Sequence, residues 1–182
     1  MKIKTVRDVI KMRQHTPINY TEIEHLCPHD KEQMRMVELD QLPKQCKTED
    51  IFGGKTFACM YCTRYVHNKP VAAHWVLFSK RKGGVEVFEP LGHKLIALLN
   101  FIQSPHAEGM YHWARNNSYT ERPVALQRDT SLQCGDWVGL RISMHNLSLR
   151  EFATFINSSH IDRESLVSLL TFLPLFRSRR SG

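Results

Sequence analysis

The sequence predicts an α+β fold in which a small mixed central β-sheet is flanked by helices. Short runs rich in aromatic and β-branched residues, bounded by glycine or polar turns, predict strands. These runs cover residues 56–66, 74–79 and 85–88. Runs with apolar residues spaced three and four apart predict amphipathic helices. These runs cover residues 94–103, 148–156 and 162–172, the last ending ahead of Pro174. Both element types in one chain indicate the α+β class.

The length of the chain predicts one domain. A chain of 182 residues can bury a single core of ordinary size, so we expect residues 1–182 to fold as one catalytic domain. Prolines divide residues 1–50 into short pieces, which predicts an N-terminal arm with short helices. The best helix candidate in this arm covers residues 30–42, and residues 51–182 are predicted to form the core.

Composition and charge narrow the class of protein. Hydrophobic content of 42% and charged content of 24% are typical of soluble folded chains, and no apolar run reaches the ~18 residues needed to span a bilayer. The basic start lacks the apolar stretch of a secretory signal, and the five cysteines do not have disulfide-framework spacing. We therefore expect an intracellular, reducing environment and no membrane partner. A net charge of +7 favours contact with nucleic acid, although a merely basic surface is an equal alternative.

A predicted hairpin brings a histidine and an acid together. Gly83 and Gly84 separate two apolar runs, which is a hairpin signal. His74 begins the first strand and Glu89 follows the second, so both lie at the same end of the hairpin. Glu86 lies on the opposite face from Glu89 and could contact His74 only in a shifted register. The sequence thus predicts a His74–Glu89 pair, with Glu86 as the position to check.

A cysteine is predicted at the start of a buried helix. Residues 124–127 predict a short strand, and a loop over residues 128–133 leads to Cys134. The apolar pattern that follows predicts a buried helix, whose positive N-terminal end would favour a thiolate at Cys134.

These residues supply the groups that thiol catalysis needs. His74 could take the proton of the Cys134 thiol and return it to a leaving amine, while Glu89 orients the imidazole. The backbone N–H of Cys134 and the side-chain amide of Gln127 could donate to an oxyanion. Each residue alone is also common in structural roles. Their combination at the ends of predicted elements favours a nucleophilic cysteine.

The other cysteines do not predict a metal or redox centre. Cys59 and Cys62 have Cys-x-x-Cys spacing, but positions three apart on a strand point to opposite faces, so the two sulfurs should diverge. His25, Cys27 and His29 alternate in a spacing that is not a common zinc pattern. No metal and no required cofactor is predicted.

Three motifs carry a resemblance to a known family. His74-Trp75, Phe88-Glu89-Pro90-x-Gly92 and Gln127-x₆-Cys134-Gly135 closely resemble those of adenain, the adenovirus maturation proteases. The chain order of histidine, acid, glutamine and cysteine is shared with the proteases that process SUMO and ubiquitin-like proteins. The resemblance covers about residues 52–145 and implies an adenain-like cysteine protease fold.

The resemblance implies a function and a set of roles. It implies a cysteine endopeptidase that cleaves viral capsid and core precursors at Gly-containing sites during virion maturation, in the virion and the infected cell. His74, Glu89 and Cys134 would form the triad, and Gln127 would lie in the oxyanion hole. It also implies stimulation by viral DNA or by an activating peptide. The family's peptide is linked through a cysteine ahead of the glutamine, and this chain has none between Cys62 and Cys134.

Two alternatives remain open at this point. One is a protease that removes SUMO- or ubiquitin-like modifiers, which would need an extended surface for a folded substrate. The other is a DNA-binding structural relative without activity, which the presence of all four catalytic residue types disfavours.

Overall fold

The structure, a computed structural model, describes residues 5–122 and 124–178, with side chains described as far as residue 172. A five-stranded sheet forms its centre. Its strands are β1 (Met34–Glu38), β2 (Phe57–Val66), β3 (Lys69–Arg81), β4 (Gly84–Phe88) and β5 (Tyr119–Glu121). The strands lie in sequence order; β2, β3 and β4 are antiparallel, and β1 and β5 join the two edges in parallel. The predicted mixed sheet is therefore present.

Helices cover both faces of this sheet. They are α1 (Val6–Gln14), α2 (Tyr20–Leu26), α3 (Thr48–Phe52), α4 (Leu95–Ile102), α5 (Glu108–Asn116), α6 (Cys134–Ser143), α7 (Leu149–Asn157) and α8 (Arg163–Ser178). The predicted α+β class, a mixed sheet flanked by helices, is thus confirmed. Across the described part of the chain, none of the helices is both long enough and apolar enough to cross a membrane.

Two hydrophobic cores lie on opposite faces of the sheet. The first core lies under α2, α6, α7 and α8 and includes Trp75 and Leu77 of β3. The second core lies under α3, α4 and α5 and includes Val76 and Phe78 of the same strand. Because side chains alternate along a strand, a strand covered on both faces has a continuous apolar run. This explains why the centre of β3 lacks a polar alternation.

Several elements match the sequence predictions. The observed β2, β4 and α4 agree with the predicted boundaries to within one residue at each end. By contrast, β3 begins at Lys69, whereas the apolar run begins at His74. Residues 69–73 are exposed, so they lack the buried pattern from which a strand is predicted.

The helix predicted over residues 30–42 is wrong. These residues form β1 between two single turns of 3-10 helix, Lys31–Gln33 and Leu39–Gln41. β1 pairs in parallel with β2, so the sheet supplies its backbone partners. Met34 and Val37 lie three positions apart and belong to the apolar stripe that predicts a helix. In the strand their side chains are instead buried in different cores. Pairing with the sheet has overridden local preference.

The strand predicted over residues 124–127 is also absent. The backbone N–H groups of Leu126 and Gln127 both donate to the Pro90 carbonyl oxygen, each at 3.0 Å. Two successive donors on one carbonyl are incompatible with a strand ladder, which alternates sides. Farther along, α8 continues to Ser178, past the predicted end ahead of Pro174.

The first fifty residues pack into the same unit as the rest. Besides the pairing of β1 with β2, Ile18 and Ile23 are buried in the first core together with residues of α6. The predicted N-terminal arm is therefore in direct contact with the helix that begins at Cys134.

Candidate active site

The β3–β4 hairpin sets the position of the histidine and the acid. In its register Phe88, the last residue of β4, is opposite Leu77, so β3 extends beyond β4 at this end. His74 lies on the extension, and Glu89 follows β4. The His74 Nε2 and Glu89 Oε1 atoms are 2.5 Å apart. The structure thus brings together the predicted pair, which is separated by 15 positions in sequence.

Backbone groups of the turn after β4 hold the Glu89 carboxylate. Oε1 also accepts from the Leu91 N–H at 3.0 Å, and Oε2 accepts from the His93 N–H at 2.5 Å. Gly92 has φ +81, and a Cβ there would lie 2.5 Å from the Ala125 nitrogen, so the turn needs a glycine. The carboxylate side chain is only 3% exposed. Its orientation is therefore fixed before any substrate binds.

The alternative acid, Glu86, lies away from the histidine. Its Oε1 accepts from Arg141 Nη2 at 2.7 Å and from Arg81 Nη2 at 2.9 Å. Arg141 belongs to α6, on the face of the sheet opposite Glu89. Glu86 is thus part of a buried ionic cluster that joins β4 to α6.

Cys134 is the first residue of α6 and lies beside His74. It is 8% exposed and lines the same cleft as the imidazole. Burial lowers the pKa of His74, but its hydrogen bonds with Cys134 and Glu89, and their charges, outweigh burial and raise that pKa to about 9. Since Nε2 contacts Glu89, the other ring nitrogen, Nδ1, remains for the sulfur. The protonated form of His74 is the state that this environment favours.

The tryptophan of the His-Trp pair holds the start of α6. Trp75 Nε1 donates to the Ile18 carbonyl oxygen at 3.1 Å. A Cβ on Gly135 would lie 2.5 Å from Ile18 Cγ1 and 3.3 Å from Trp75 Cδ1. Only glycine allows α6 to approach β3 this closely, and this approach places Cys134 next to His74.

The N-terminal segment also contacts the first turn of α6 and residues 128–133, the loop that leads to Cys134 (the cysteine loop). Arg13 forms an ion pair with Asp136 in the first turn of α6, and both side chains are almost fully buried. The Leu132 N–H donates to the Gln14 carbonyl oxygen at 3.0 Å. Burial raises the pKa of Asp136, while the neighbouring Arg13 acts in the opposite direction. The ion pair joins residues 123 positions apart, and no local motif predicts it.

Gln127 lies in the same cleft. Its Nε2 donates to the Ser131 carbonyl oxygen at 2.7 Å, and its Oε1 is buried without a hydrogen-bond partner among the described residues. An amide nitrogen has two N–H donors, so one remains after the bond to Ser131. All four predicted site residues, His74, Glu89, Cys134 and Gln127, are therefore close to one another, and three of them line the cleft.

The cleft itself has a volume of ≈ 480 Å³. Its walls include apolar side chains from the turn after β4, from α4 and from the cysteine loop. These are Leu91, Leu98, Phe101, Ile102 and Leu132. Phe101 is 44% and Leu132 is 49% exposed. An accessible apolar groove of this size with a few polar groups in it is a candidate binding site.

The remaining cysteines are buried and unpaired. Cys59 and Cys62 belong to different cores, so their sulfurs diverge as predicted. Burial raises the pKa of Cys46 to about 11 and that of Cys27 to about 12, and it raises the pKa of Cys59 and Cys62 as well. Within residues 5–122 and 124–178, no group of three or more metal-ligating side chains is close enough to hold a metal ion.

His93 is a further neighbour of the site that was not predicted. His93 Nδ1 lies 3.5 Å from Glu89 Oε2, and the His93 ring stacks on Phe101 with a centroid distance of 5.6 Å. The only sequence signal is a histidine four positions after the acid, which has no meaning until the turn geometry is known.

Fold and site together define a candidate thiol–imidazole–carboxylate active site on an α+β scaffold. Comparison of the chain with protein-family models and with curated proteins gave no match. What the site does is therefore argued from its own geometry.

Proposed function

We propose that this protein is a cysteine endopeptidase of the adenain type. The observation that carries the proposal is the arrangement around His74, whose Nε2 lies 2.5 Å from a buried, backbone-anchored Glu89 while Cys134 lines the same cleft as the ring. Further support comes from the position of Cys134 at the first turn of a buried helix.

In this proposal the reaction has two halves. The Cys134 thiolate attacks the scissile carbonyl carbon, and His74 donates its proton to the leaving amine as the C–N bond breaks. A water molecule then attacks the thioester, giving a proton back to His74 and releasing the carboxylic acid. Glu89 keeps its hydrogen bond to Nε2 throughout and stabilises the imidazolium without becoming protonated.

The developing oxyanion needs donors. The backbone N–H of Cys134 and the unused Nε2–H of Gln127 are the groups proposed for this role. The bond from Gln127 to Ser131 would orient the amide in advance. Preorganised donors of this kind typically contribute ~10²–10³ in turnover each.

The proposed substrates are viral capsid and core precursors, cleaved at Gly-containing sites during virion maturation in the infected cell and the virion. This part rests on the resemblance of the His-Trp, Phe-Glu-Pro and Gln-x₆-Cys-Gly motifs to those of adenain. Stimulation by DNA is compatible with the net charge of +7. A disulfide-linked activating peptide is not included, because Cys27, Cys46, Cys59 and Cys62 are buried.

A protease for ubiquitin-like modifiers is the second candidate, because it shares the chain order of histidine, acid, glutamine and cysteine. Peptides that contain a Gly-Gly pair and fluorogenic modifier conjugates would separate the two. We expect hydrolysis of the peptides, and hydrolysis of the conjugates alone would favour the second candidate.

The nucleophile is tested by Cys134→Ala, with Cys59→Ala as the matched control. We expect Cys134→Ala to abolish peptide hydrolysis and Cys59→Ala to retain it. Iodoacetamide at neutral pH should label Cys134 ahead of the other four thiols, which are more deeply buried, as read by peptide mass mapping. A Cys134→Ala protein with wild-type hydrolysis would exclude the proposal, as would preferential labelling of another cysteine.

A further inference from the structure

A guanidinium group in the cleft has no acidic partner. Arg64 lines the same cleft as His74 and Cys134. Among the described residues, no carboxylate oxygen lies within ion-pair distance of Arg64, whereas Arg13, Arg81 and Arg141 each contact a carboxylate. Arginine is almost always charged, and charged groups at a partly enclosed site are normally paired. Arg64 is therefore available to pair with an anionic group of a bound molecule.

The strand register fixes the position of Arg64 relative to the catalytic groups. Cys62 pairs with His74 and Arg64 pairs with Ala72, so Arg64 and His74 lie diagonally on the same face of the sheet. Diagonal neighbours in an antiparallel pair lie about 7–8 Å apart. An extended substrate advances about 3.3 Å per residue. A side chain that meets Arg64 therefore belongs to a residue close to the scissile bond.

Contacts with an aromatic ring hold the guanidinium in place. Its Cζ atom lies 4.2 Å from the centroid of the Phe101 ring, which also stacks with His93. The Nε atom is buried and has no hydrogen-bond partner among the described residues. The two terminal nitrogens form no hydrogen bond within the described chain and are not enclosed as Nε is, so they can present a forked pair of donors to the cleft.

The chemistry of this fork identifies what it would recognise. Two parallel N–H donors match a carboxylate, and charge-assisted bonds of this kind are about twice as strong as neutral ones. Phe101, which is 44% exposed, provides apolar surface for the stem of such a side chain. The other charged or titratable cleft residues are His74, His93, Asp129 and Cys134, and Asp129 would disfavour a second acid on its own side.

We infer that Arg64 is a specificity-determining residue that binds an Asp or Glu side chain of the substrate near the cleaved bond. This inference rests on the proposed function. The substrate class is thus a polypeptide with a Gly-containing cleavage site and an acidic residue at one fixed position beside it.

The test uses the full chain and a peptide set built around a Gly-Gly cleavage site. One position at a time carries Glu, Gln or Lys, and kcat/KM is measured for each peptide. For the wild-type protein we expect one position at which Glu exceeds Gln by at least about tenfold, the effect of a hydrogen bond to a charged group.

Two variants assign that preference to Arg64. Arg64→Met keeps an unbranched side chain against Phe101 and removes the charge, so we expect the ratio of kcat/KM for the Glu peptide to kcat/KM for the Gln peptide to fall to about one. Arg64→Glu should reverse the preference towards Lys at the same position. Thermal unfolding and iodoacetamide labelling of Cys134 show whether each variant is folded, independently of any substrate.

The outcomes separate this inference from the function on which it rests. If the wild-type protein hydrolyses Glu and Gln peptides equally at every position, or if Arg64→Met keeps the Glu preference, only the role of Arg64 is overturned. If no peptide is hydrolysed, both proposals fail. If selectivity is unchanged in Arg64→Met but a DNA duplex binds several-fold more weakly, the guanidinium recognises phosphate and the inference is wrong.

Discussion

His74 Nε2 and Glu89 Oε1 lie 2.5 Å apart, and the two oxygens of Glu89 are further anchored by the backbone N–H groups of Leu91 and His93. The backbone of the turn after β4 therefore holds the carboxylate, which also bonds to the imidazole of His74 on β3. This arrangement fixes which ring nitrogen remains for Cys134. Glu89 is also one of the two neighbours, with Cys134, that raise the pKa of His74.

Replacing Glu89 by Gln should shift the pH profile of hydrolysis. The neutral amide removes one of the charges that raise the pKa of His74 to about 9, so this pKa falls. In the proposed mechanism a protonated His74 donates to the leaving amine, so the alkaline limb of kcat/KM against pH should move to lower pH. We also expect turnover to fall by about 10², because the ring loses its orientation.

Glu86→Gln is the matched control for that change. Glu86 is also a buried acid of this hairpin, but it pairs with Arg81 and Arg141 on the opposite face. Its removal should lower the free energy of unfolding by about 3 kcal/mol or more, because the fully buried Arg141 and the partly exposed Arg81 both lose a charge partner. The position of the alkaline limb should not move. A similar shift in both variants would contradict a direct role for Glu89.

The raised pKa of His74 also predicts how stability depends on pH. A histidine with a pKa near 9 in the folded chain and 6.5 as its ordinary value binds its proton more tightly when folded. Its contribution to stability is complete below pH 6.5 and is lost as the pH rises through about 9. Urea unfolding of wild type and His74→Gln between pH 6 and 10 measures this contribution. Their difference in unfolding free energy should shrink across that window, and a constant difference would contradict the raised pKa.

Local pattern was sufficient to predict the hairpin and the residues at its ends. Side-chain alternation and a Gly-Gly turn place His74 and Glu89 on one side of the sheet, because both follow from short-range geometry. The start of α6 at Cys134 was predictable for the same reason, since an apolar helical period begins there. Features that depend on short-range periodicity, namely strand alternation and the helical repeat, were therefore predictable from the sequence alone.

Long-range contacts account for what could not be predicted. The stripe at Met34 and Val37 is compatible with a helix, and only the pairing of β1 with β2 decides for a strand. The strand expected over residues 124–127 is replaced by two bonds to the Pro90 carbonyl, which lies far away in sequence. The buried pair of Arg13 and Asp136 likewise has no local signal. Each of these depends on a partner that no sequence window contains.

The Arg13–Asp136 pair should be sensitive to the loss of one partner. Arg13→Met leaves a buried carboxylate without its cation, which should lower the free energy of unfolding by about 3–5 kcal/mol near pH 7. Without Arg13 the pKa of Asp136 rises further. A folded-state pKa above the unfolded one gives stability that is present at low pH and is lost as the pH rises. Urea unfolding should therefore show a smaller penalty at pH 4 than at pH 7.

The double variant Arg13→Met with Asp136→Asn provides the control. It removes the buried charge as well as its partner, so it should recover a large part of the stability lost in Arg13→Met. Equal stability of the single and double variants would mean that Arg13 acts through packing and not through charge.

Gly135→Ala should displace the nucleophile. The added Cβ would lie 2.5 Å from Ile18 Cγ1, so α6 must move away from β3 or Ile18 must shift. Overpacking of this kind typically costs about 1–3 kcal/mol, and the better helix propensity of alanine offsets about 1 kcal/mol of it. Because Cys134 precedes this residue, iodoacetamide labelling and hydrolysis should both slow. Ile18→Ala removes the atom that the Cβ meets, so the double variant should lose less stability, and less activity, than the two single losses added together. Strictly additive losses would mean that the close approach of Gly135 to Ile18 does not position the thiol.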